Sequence, residues 1–233
     1  MKLFCFPYAG GSATVYQKWN KYLAGSVDLC PVELAGRGVR SRIPLYNDFK
    51  KMVEDVFINI KPQILEGSYA FYGHSMGARL SFELANRILE SGLSGPKFMF
   101  MSGCGAPDFE ATRRPYHLLP YDEFKEKVAG LGGMPPEILN NDDIFNYYEP
   151  IIRSDFKNLE TLTFRASYVP LAIDFVLMHG DQDSIPLANV EAWRNYTSRS
   201  CRIETFKGGH FFINYHEEQV TEVIKSVLLG YEV

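Results

Sequence analysis

Residues 73–77 read Gly73-His74-Ser75-Met76-Gly77, and the chain changes character across them. Before them lies an apolar run with strand propensity, Tyr69-Ala70-Phe71-Tyr72; after them, residues 78–89 are rich in helix formers. A serine between two such glycines implies a sharp strand-to-helix turn that lifts one hydroxyl above a sheet in strained backbone. A Cβ two residues before or after the serine would collide with the neighbouring strand or helix, which is why glycine stands at both places. The helix start beneath the hydroxyl adds partial positive charge where an oxyanion would form. The five-residue pattern recurs by chance, so its weight comes from the strand before it and the helix after it.

The rest of the chain agrees with that turn. Short apolar strands are predicted at 3–6, 27–34, 97–102, 172–178 and 201–206, in addition to the one before Ser75. Amphipathic helices are predicted at about 14–23, 49–65, 186–194 and 217–229. Met52, Val53, Val56, Phe57, Ile60 and Ile64 share a face in the second of these, and Pro62 is expected to bend or shorten it. Alternating strands and helices imply right-handed crossovers and a mainly parallel sheet. Ligands of such sheets gather beyond the carboxyl ends of the strands, where Gly10-Gly11, Gly36-Arg37-Gly38, Gly103 and Gly180 all fall.

One interval breaks the alternation. Residues 107–167 contain no convincing core strand, and a structureless loop of that length is improbable in a compact domain. Helical periodicity over 121–131 and 142–162, divided by Met134-Pro135-Pro136, predicts a helical lid inserted at the active edge of a single domain, 1–233. Its apolar and aromatic residues Tyr116, Leu118, Leu119, Phe124, Phe145, Tyr147 and Tyr148 are candidates for an acyl channel, about a third of them expected to reach it.

Composition narrows the function by exclusion. A net charge of −4 gives no global reason to expect nucleic acid or a membrane surface. Cys5, Cys30, Cys104 and Cys201 lack paired spacing, and Cys5 and Cys30, in strand-like apolar runs, read as buried reduced thiols, so a cytoplasmic protein is expected. Gly-x-Gly-x-x-Gly and P-loop patterns are absent, as is any metal-ligand spacing, so neither metal nor cofactor is expected.

A serine nucleophile needs a base, and the base a carboxylate. Of five histidines, His210 follows the last strand in a flexible glycine turn that can aim an imidazole at Ser75, and it is preferred over His216 at the start of the last helix. His74 is expected to point away from the hydroxyl in a structural role. Gly180-Asp181-Gln182-Asp183 offers two acids at the correct strand exit: Asp183 is preferred, with Asp181 as the alternative and as a turn former. The oxyanion hole is assigned to the backbone amides of Met76 and Ala9. Tyr8 and Phe211, which flank these loops, complete the candidate set as substrate contacts.

Phe6-Pro7-Tyr8-Ala9-Gly10-Gly11-Ser12-Ala13, Gly36-Arg37-Gly38, Gly73-His74-Ser75-Met76-Gly77, Leu131-Gly132-Gly133-Met134-Pro135-Pro136-Glu137 and Gly208-Gly209-His210-Phe211-Phe212 together resemble the type II thioesterases. These are free-standing α/β-hydrolases that accompany non-ribosomal peptide and polyketide synthases. One departure is Ala35, where the family often has proline. The resemblance implies an α/β-hydrolase fold with Ser75, Asp183 and His210 at the triad positions. It implies hydrolysis of acyl groups from the phosphopantetheine arm of acyl or peptidyl carrier domains, as editing or product release; a monomer is the default expectation. The alternatives are a small-ester carboxylesterase and a non-catalytic synthase-binding partner. Because carrier domains are typically acidic, Arg37, Arg40, Arg42, Arg113 and Arg114 are candidates to steer one to the mouth.

Overall fold

The structure, a computed structural model, describes residues 1–108, 115–163 and 168–230. In chain order the strands are β1 (Lys2–Phe6), β2 (Asp28–Pro31), β3 (Tyr69–His74), β4 (Phe98–Ser102), β5 (Asp174–Gly180) and β6 (Cys201–Phe206). The helices are α1 (Asn20–Leu23), α2 (Phe49–Ile64), α3 (Met76–Glu90), α4 (Tyr121–Leu131), α5 (Pro136–Leu139), α6 (Asp142–Glu160), α7 (Leu187–Glu191) and α8 (Glu217–Leu229). The six strands form one sheet in the order β2-β1-β3-β4-β5-β6, every neighbouring pair parallel. All strand exits therefore lie along one edge, as the alternation predicted.

Period-two alternation sorts each central strand between two cores. Phe4 and Phe6, Tyr69 and Phe71, Met99 and Met101, and Phe175 and Leu177 face the layer containing α2 and α3. Leu3 and Cys5, Ala70 and Tyr72, Phe100, and Val176 and Met178 face the opposite layer, with Trp19, Val220 and Ile224. Burying an aromatic or aliphatic side chain of this size contributes about 1.5–3 kcal/mol, so strands covered on both faces anchor the site-bearing exits firmly.

Several local details differ from the sequence reading for physical reasons. The first helix is mostly 3-10, over Ala13–Trp19, and becomes α only at Asn20. β2 ends at Pro31, whose nitrogen lies on the open side of this edge strand, and the Val32 amide still donates to the Cys5 carbonyl at 2.9 Å. Pro62 lies inside α2, which runs on to Ile64. Cys5 is a buried free thiol, and the other three cysteines are also free.

Between β4 and β5 stand α4, α5 and α6, with a core of their own: Leu119, Phe124, Val128, Phe145, Ile152 and Phe156. Asn141 caps α6 through its side chain, which accepts from the Ile144 amide at 3.1 Å.

Candidate active site

The turn after β3 is as tight as its glycines require. A Cβ at Gly73 would lie 2.2 Å from the Gly77 carbonyl, and one at Gly77 2.0 Å from the Phe6 carbonyl oxygen. Ser75 between them has φ 53°, the single positive φ at a non-glycine residue among the described residues. Such a conformation costs about 1–3 kcal/mol and persists where the surroundings over-determine it. Here the Ser75 amide donates to the Ser102 carbonyl at 2.8 Å, tying the turn to the end of β4.

The β5 and β6 exits supply an imidazole and a carboxylate. His210 Nδ1 lies 2.9 Å from Asp183 Oδ2, while the acid's other oxygen accepts the Ile185 amide at 3.1 Å. Burial alone would raise the Asp183 carboxyl; its hydrogen bond to His210, the charge of that ring and the Ile185 amide outweigh this and hold it below its usual range. An ionised carboxylate only accepts, so Nδ1 is the donor of this contact and Nε2 is the ring nitrogen it leaves free.

Asp181 is the turn former. Its amide donates to Phe206 at 2.9 Å and its Oδ1 accepts the Gly208 amide at 2.8 Å, which pins the loop leading to His210. The same two exits touch main chain to main chain, since a Cβ at Gly180 would fall 2.5 Å from the carbonyl oxygens of both Gly208 and Gly209.

A cavity of about 700 Å³ opens above this edge. Ser75, Met76, Ala9, Tyr8, His210 and Phe211 line it. Asp183 is absent from its wall and meets it through His210. The Met76 and Ala9 amides donate to no acceptor among the described residues, whereas the Gly10 amide is taken by the Asp155 carboxylate at 2.8 Å. Tyr8 and Phe211 meet edge to face, with ring centroids 4.8 Å apart. Burial pushes the neighbouring Cys104 thiol up to about 11, so it does not compete as a nucleophile near neutral pH.

The opposite wall comes from the helices between β4 and β5, through Val128, Leu131, Met134, Ile138, Ile152 and Leu159 among others. Of the seven residues expected to form an acyl channel, Tyr116 and Tyr148 reach the cavity. Leu119, Phe124 and Phe145 are buried in the helices' own core, and Leu118 and Tyr147 are exposed.

His74 has the structural placement expected of it, 0% exposed with Nδ1 2.9 Å from Ser102 Oγ. Its ring also lies 5.0 Å from that of His210, a proximity local sequence did not suggest. Burial, then the charge of His210, holds it well below the usual imidazole range, so it remains neutral beside the base.

The arginine expectation fails at two positions. Arg37 is 3% exposed and forms a two-pronged ion pair with Asp155, at 2.7 and 2.8 Å. Arg40 pairs in the same way with Asp55, at 2.7 and 2.8 Å. The first pair is buried, and the second is partly exposed with its guanidinium already neutralised by Asp55. Arg42 is exposed, and Arg113 and Arg114 lie outside the described residues. Sequence reasoning also missed Asp155, although an acid beside Ile151, Ile152 and Phe156 on a buried helical stripe signals a buried partner.

Comparison with known proteins places this geometry. A family model described as a thioesterase domain matches residues 1–228. A protein of Brevibacillus parabrevis named linear gramicidin dehydrogenase LgrE is 37% identical, over 98% of this chain and 88% of its own. The word dehydrogenase belongs to that protein's name; the family model matched here is of thioesterases. The crystal structure of ClbQ from the colibactin NRPS/PKS pathway superposes with a TM-score of 0.94 at 35% identity, covering 99% of this chain and 97% of ClbQ. The type II thioesterase BorB from the borrelidin biosynthetic cluster gives 0.88 at 29% identity, covering 97% and 92%. With its parallel sheet, its strained serine turn and a family match spanning nearly its whole length, the chain belongs to the thioesterase family and has the α/β-hydrolase fold.

Proposed function

We propose that this protein is a serine thioesterase that hydrolyses acyl groups from the phosphopantetheine arm of carrier domains, clearing misprimed or stalled non-ribosomal peptide or polyketide synthases and releasing product. The observation that carries the reading is the 2.9 Å contact between His210 and Asp183 at the cavity that also holds strained Ser75. In this reading His210 Nε2 takes the Ser75 proton as Oγ attacks the thioester carbonyl. The tetrahedral oxyanion is held by the amides of Met76 and Ala9 at the positive end of α3. Collapse breaks the C–S bond, the pantetheine thiolate leaves with the proton held by His210, and an acyl-serine remains; the neutral imidazole then deprotonates a water that attacks the ester, and returns that proton to Ser75 Oγ as the acid departs. A thiolate leaves with a pKa near ~8.5, so His210 has less protonation to do than for an alkoxide.

The helices between β4 and β5 act as a lid whose wall receives the acyl group, with Tyr8 and Phe211 as contacts near the reacting carbon. Support for a carrier-borne substrate comes from the likeness to ClbQ, of the colibactin NRPS/PKS pathway, and to BorB, a type II thioesterase of the borrelidin biosynthetic cluster. The protein works as a cytoplasmic monomer without a cofactor of its own, since phosphopantetheine arrives with the substrate. Among the described residues no helix is long and apolar enough to cross a membrane.

A serine-directed fluorophosphonate probe is expected to label Ser75, and Ser75→Ala to reduce turnover of an acyl-carrier substrate by up to ~10⁶. Unlabelled, inactive wild-type protein would sink the enzyme reading. Faster turnover of a p-nitrophenyl ester than of acyl-carrier would move the protein to the carboxylesterases.

A further inference from the structure

We propose that Asp155, on α6 of the helical insertion, is a positioning residue of the reaction: it fixes the loop carrying the Ala9 amide, so that the insertion helps to build the oxyanion hole it covers. The inference rests on the serine-hydrolase reading above. Asp155 is 0% exposed and does not line the cavity, so it acts through others. Its Oδ2 accepts from the Gly10 amide at 2.8 Å and from Arg37 Nη1 at 2.7 Å, and its Oδ1 from Arg37 Nη2 at 2.8 Å. Arg37 Nη1 also donates to the Gly11 carbonyl at 3.0 Å. The ion pair thus grips the loop at two points, the amide of Gly10 and the carbonyl of Gly11.

The grip falls where the loop is soft. The Gly11 amide donates to the Tyr8 carbonyl at 2.9 Å, closing a β-turn with Ala9 and Gly10 as its central residues. Gly10 has φ 78°, the value a type II turn demands at that position. Types I and II differ by a flip of the central peptide, which here comprises the Ala9 carbonyl and the Gly10 N–H, and a glycine makes the flip inexpensive. A carboxylate facing that peptide accepts the N–H and repels the carbonyl, so Asp155 admits only the observed flip. One turn earlier on α6, Ile152 is seated on the same glycine: a Cβ at Gly10 would lie 2.6 Å from Ile152 Cγ1. The Ala9 amide is one peptide away, and its aim depends on the turn.

Stability alone does not account for such a pair. A buried ion pair often does no better than apolar residues of similar volume, whereas fixed geometry is what oxyanion stabilisation requires. A misplacement of about 1 Å near reacting groups can cost about 100-fold in rate.

The test replaces the pair in two ways, Arg37→Met with Asp155→Leu and Arg37→Gln with Asp155→Asn. The apolar pair leaves the Gly10 amide without an acceptor; the polar pair restores one. With protein that melts within a few degrees of wild type, the apolar pair is expected to lower kcat about 100-fold with KM little changed, and the polar pair to recover most of it. A trifluoromethyl ketone analogue, which forms a tetrahedral oxyanion on Ser75, should lose affinity for the apolar pair by the same factor. A non-hydrolysable amide analogue should not. Lys127→Ala, on the exposed surface of α4, is the control that leaves kcat unchanged. Should the apolar pair fail to fold, Asp155→Asn with Arg37 kept decides: one amide oxygen replaces two that accept three hydrogen bonds, Arg37 competes with the Gly10 amide for it, and kcat should fall about tenfold, a loss shared by the ketone and not by the amide. Wild-type kcat in a folded variant, or equal loss for both analogues, overturns the proposal. Fluorophosphonate labelling of wild-type Ser75 keeps that failure distinct from failure of the serine reading.

Discussion

The two sides of the cavity are built on different principles. On the sheet side, Ser75, Asp183 and His210 leave β3, β5 and β6 through short exits held by backbone hydrogen bonds; β3 and β5 are buried on both faces, and β6 is the partly exposed edge strand paired with β5. On the insertion side, α4, α5 and α6 pack on a small core of their own and present apolar side chains to the space between. The sheet side holds the imidazole and its carboxylate in a 2.9 Å contact, which acid–base chemistry needs. The insertion offers a shape, which can change residue by residue without disturbing the sheet. Asp155 is where the two meet.

If chemistry belongs to the sheet side, Asp183→Asn is the sharpest way to break the contrast. It should preserve the fold and lower kcat by about 10⁴, since the amide can no longer hold His210 in the Nδ1–H tautomer. Asp181→Asn, which touches the same loop through Gly208, should cost far less. If kinetics on one carrier substrate show Asp181 to be the costly position, the acid assignment passes to it.

If selectivity belongs to the insertion side, bulk added there should change which acyl groups are accepted and spare the chemistry. Ile138→Trp, on the wall of the 700 Å³ cavity, is expected to depress kcat/KM for the longest acyl groups by about 10- to 200-fold relative to acetyl. A panel of acyl groups on one carrier domain measures this. Equal loss for every chain length would show that this wall does not meet the acyl group.

The smallest expected effect lies in stability. His74 is buried neutral, its affinity for a proton held well below the ordinary 6.5. Its folded value is depressed, so below about pH 6.5 the unfolded chain binds the proton and the native state does not. Stability should therefore fall as pH drops from about 6.5 towards the folded value, with this group contributing up to about 1.4 kcal/mol per pH unit. His74→Asn should flatten the profile of denaturation midpoint between pH 5 and 7; an unchanged slope would show that the ring is protonated in the native state.

The same division explains what could be read from sequence. The sheet side is legible because its signals are local: two glycines around Ser75, a glycine turn before His210, a carboxylate just past a strand. Asp181 and Asp183 were separable because a turn former and a histidine partner ask for different positions. The insertion's helices follow from periodicity, yet which faces meet the cavity depends on packing against distant chain, so Phe124 and Phe145 turned inward. Arg37 and Asp155 lie 118 residues apart, and no local pattern joins them. Arg37 and Arg40 looked available to a partner because a sequence shows charge without showing the carboxylate that neutralises it.

The contact of Gly180 with the carbonyls of Gly208 and Gly209 bears on how the acid and base keep their distance. The atoms nearest that seam are all main chain, so rearranged side chains elsewhere have little lever on it. Even alanine at 180 would wedge the two exits apart, whereas substitutions in the surrounding layers could accumulate while imidazole and carboxylate kept their 2.9 Å contact.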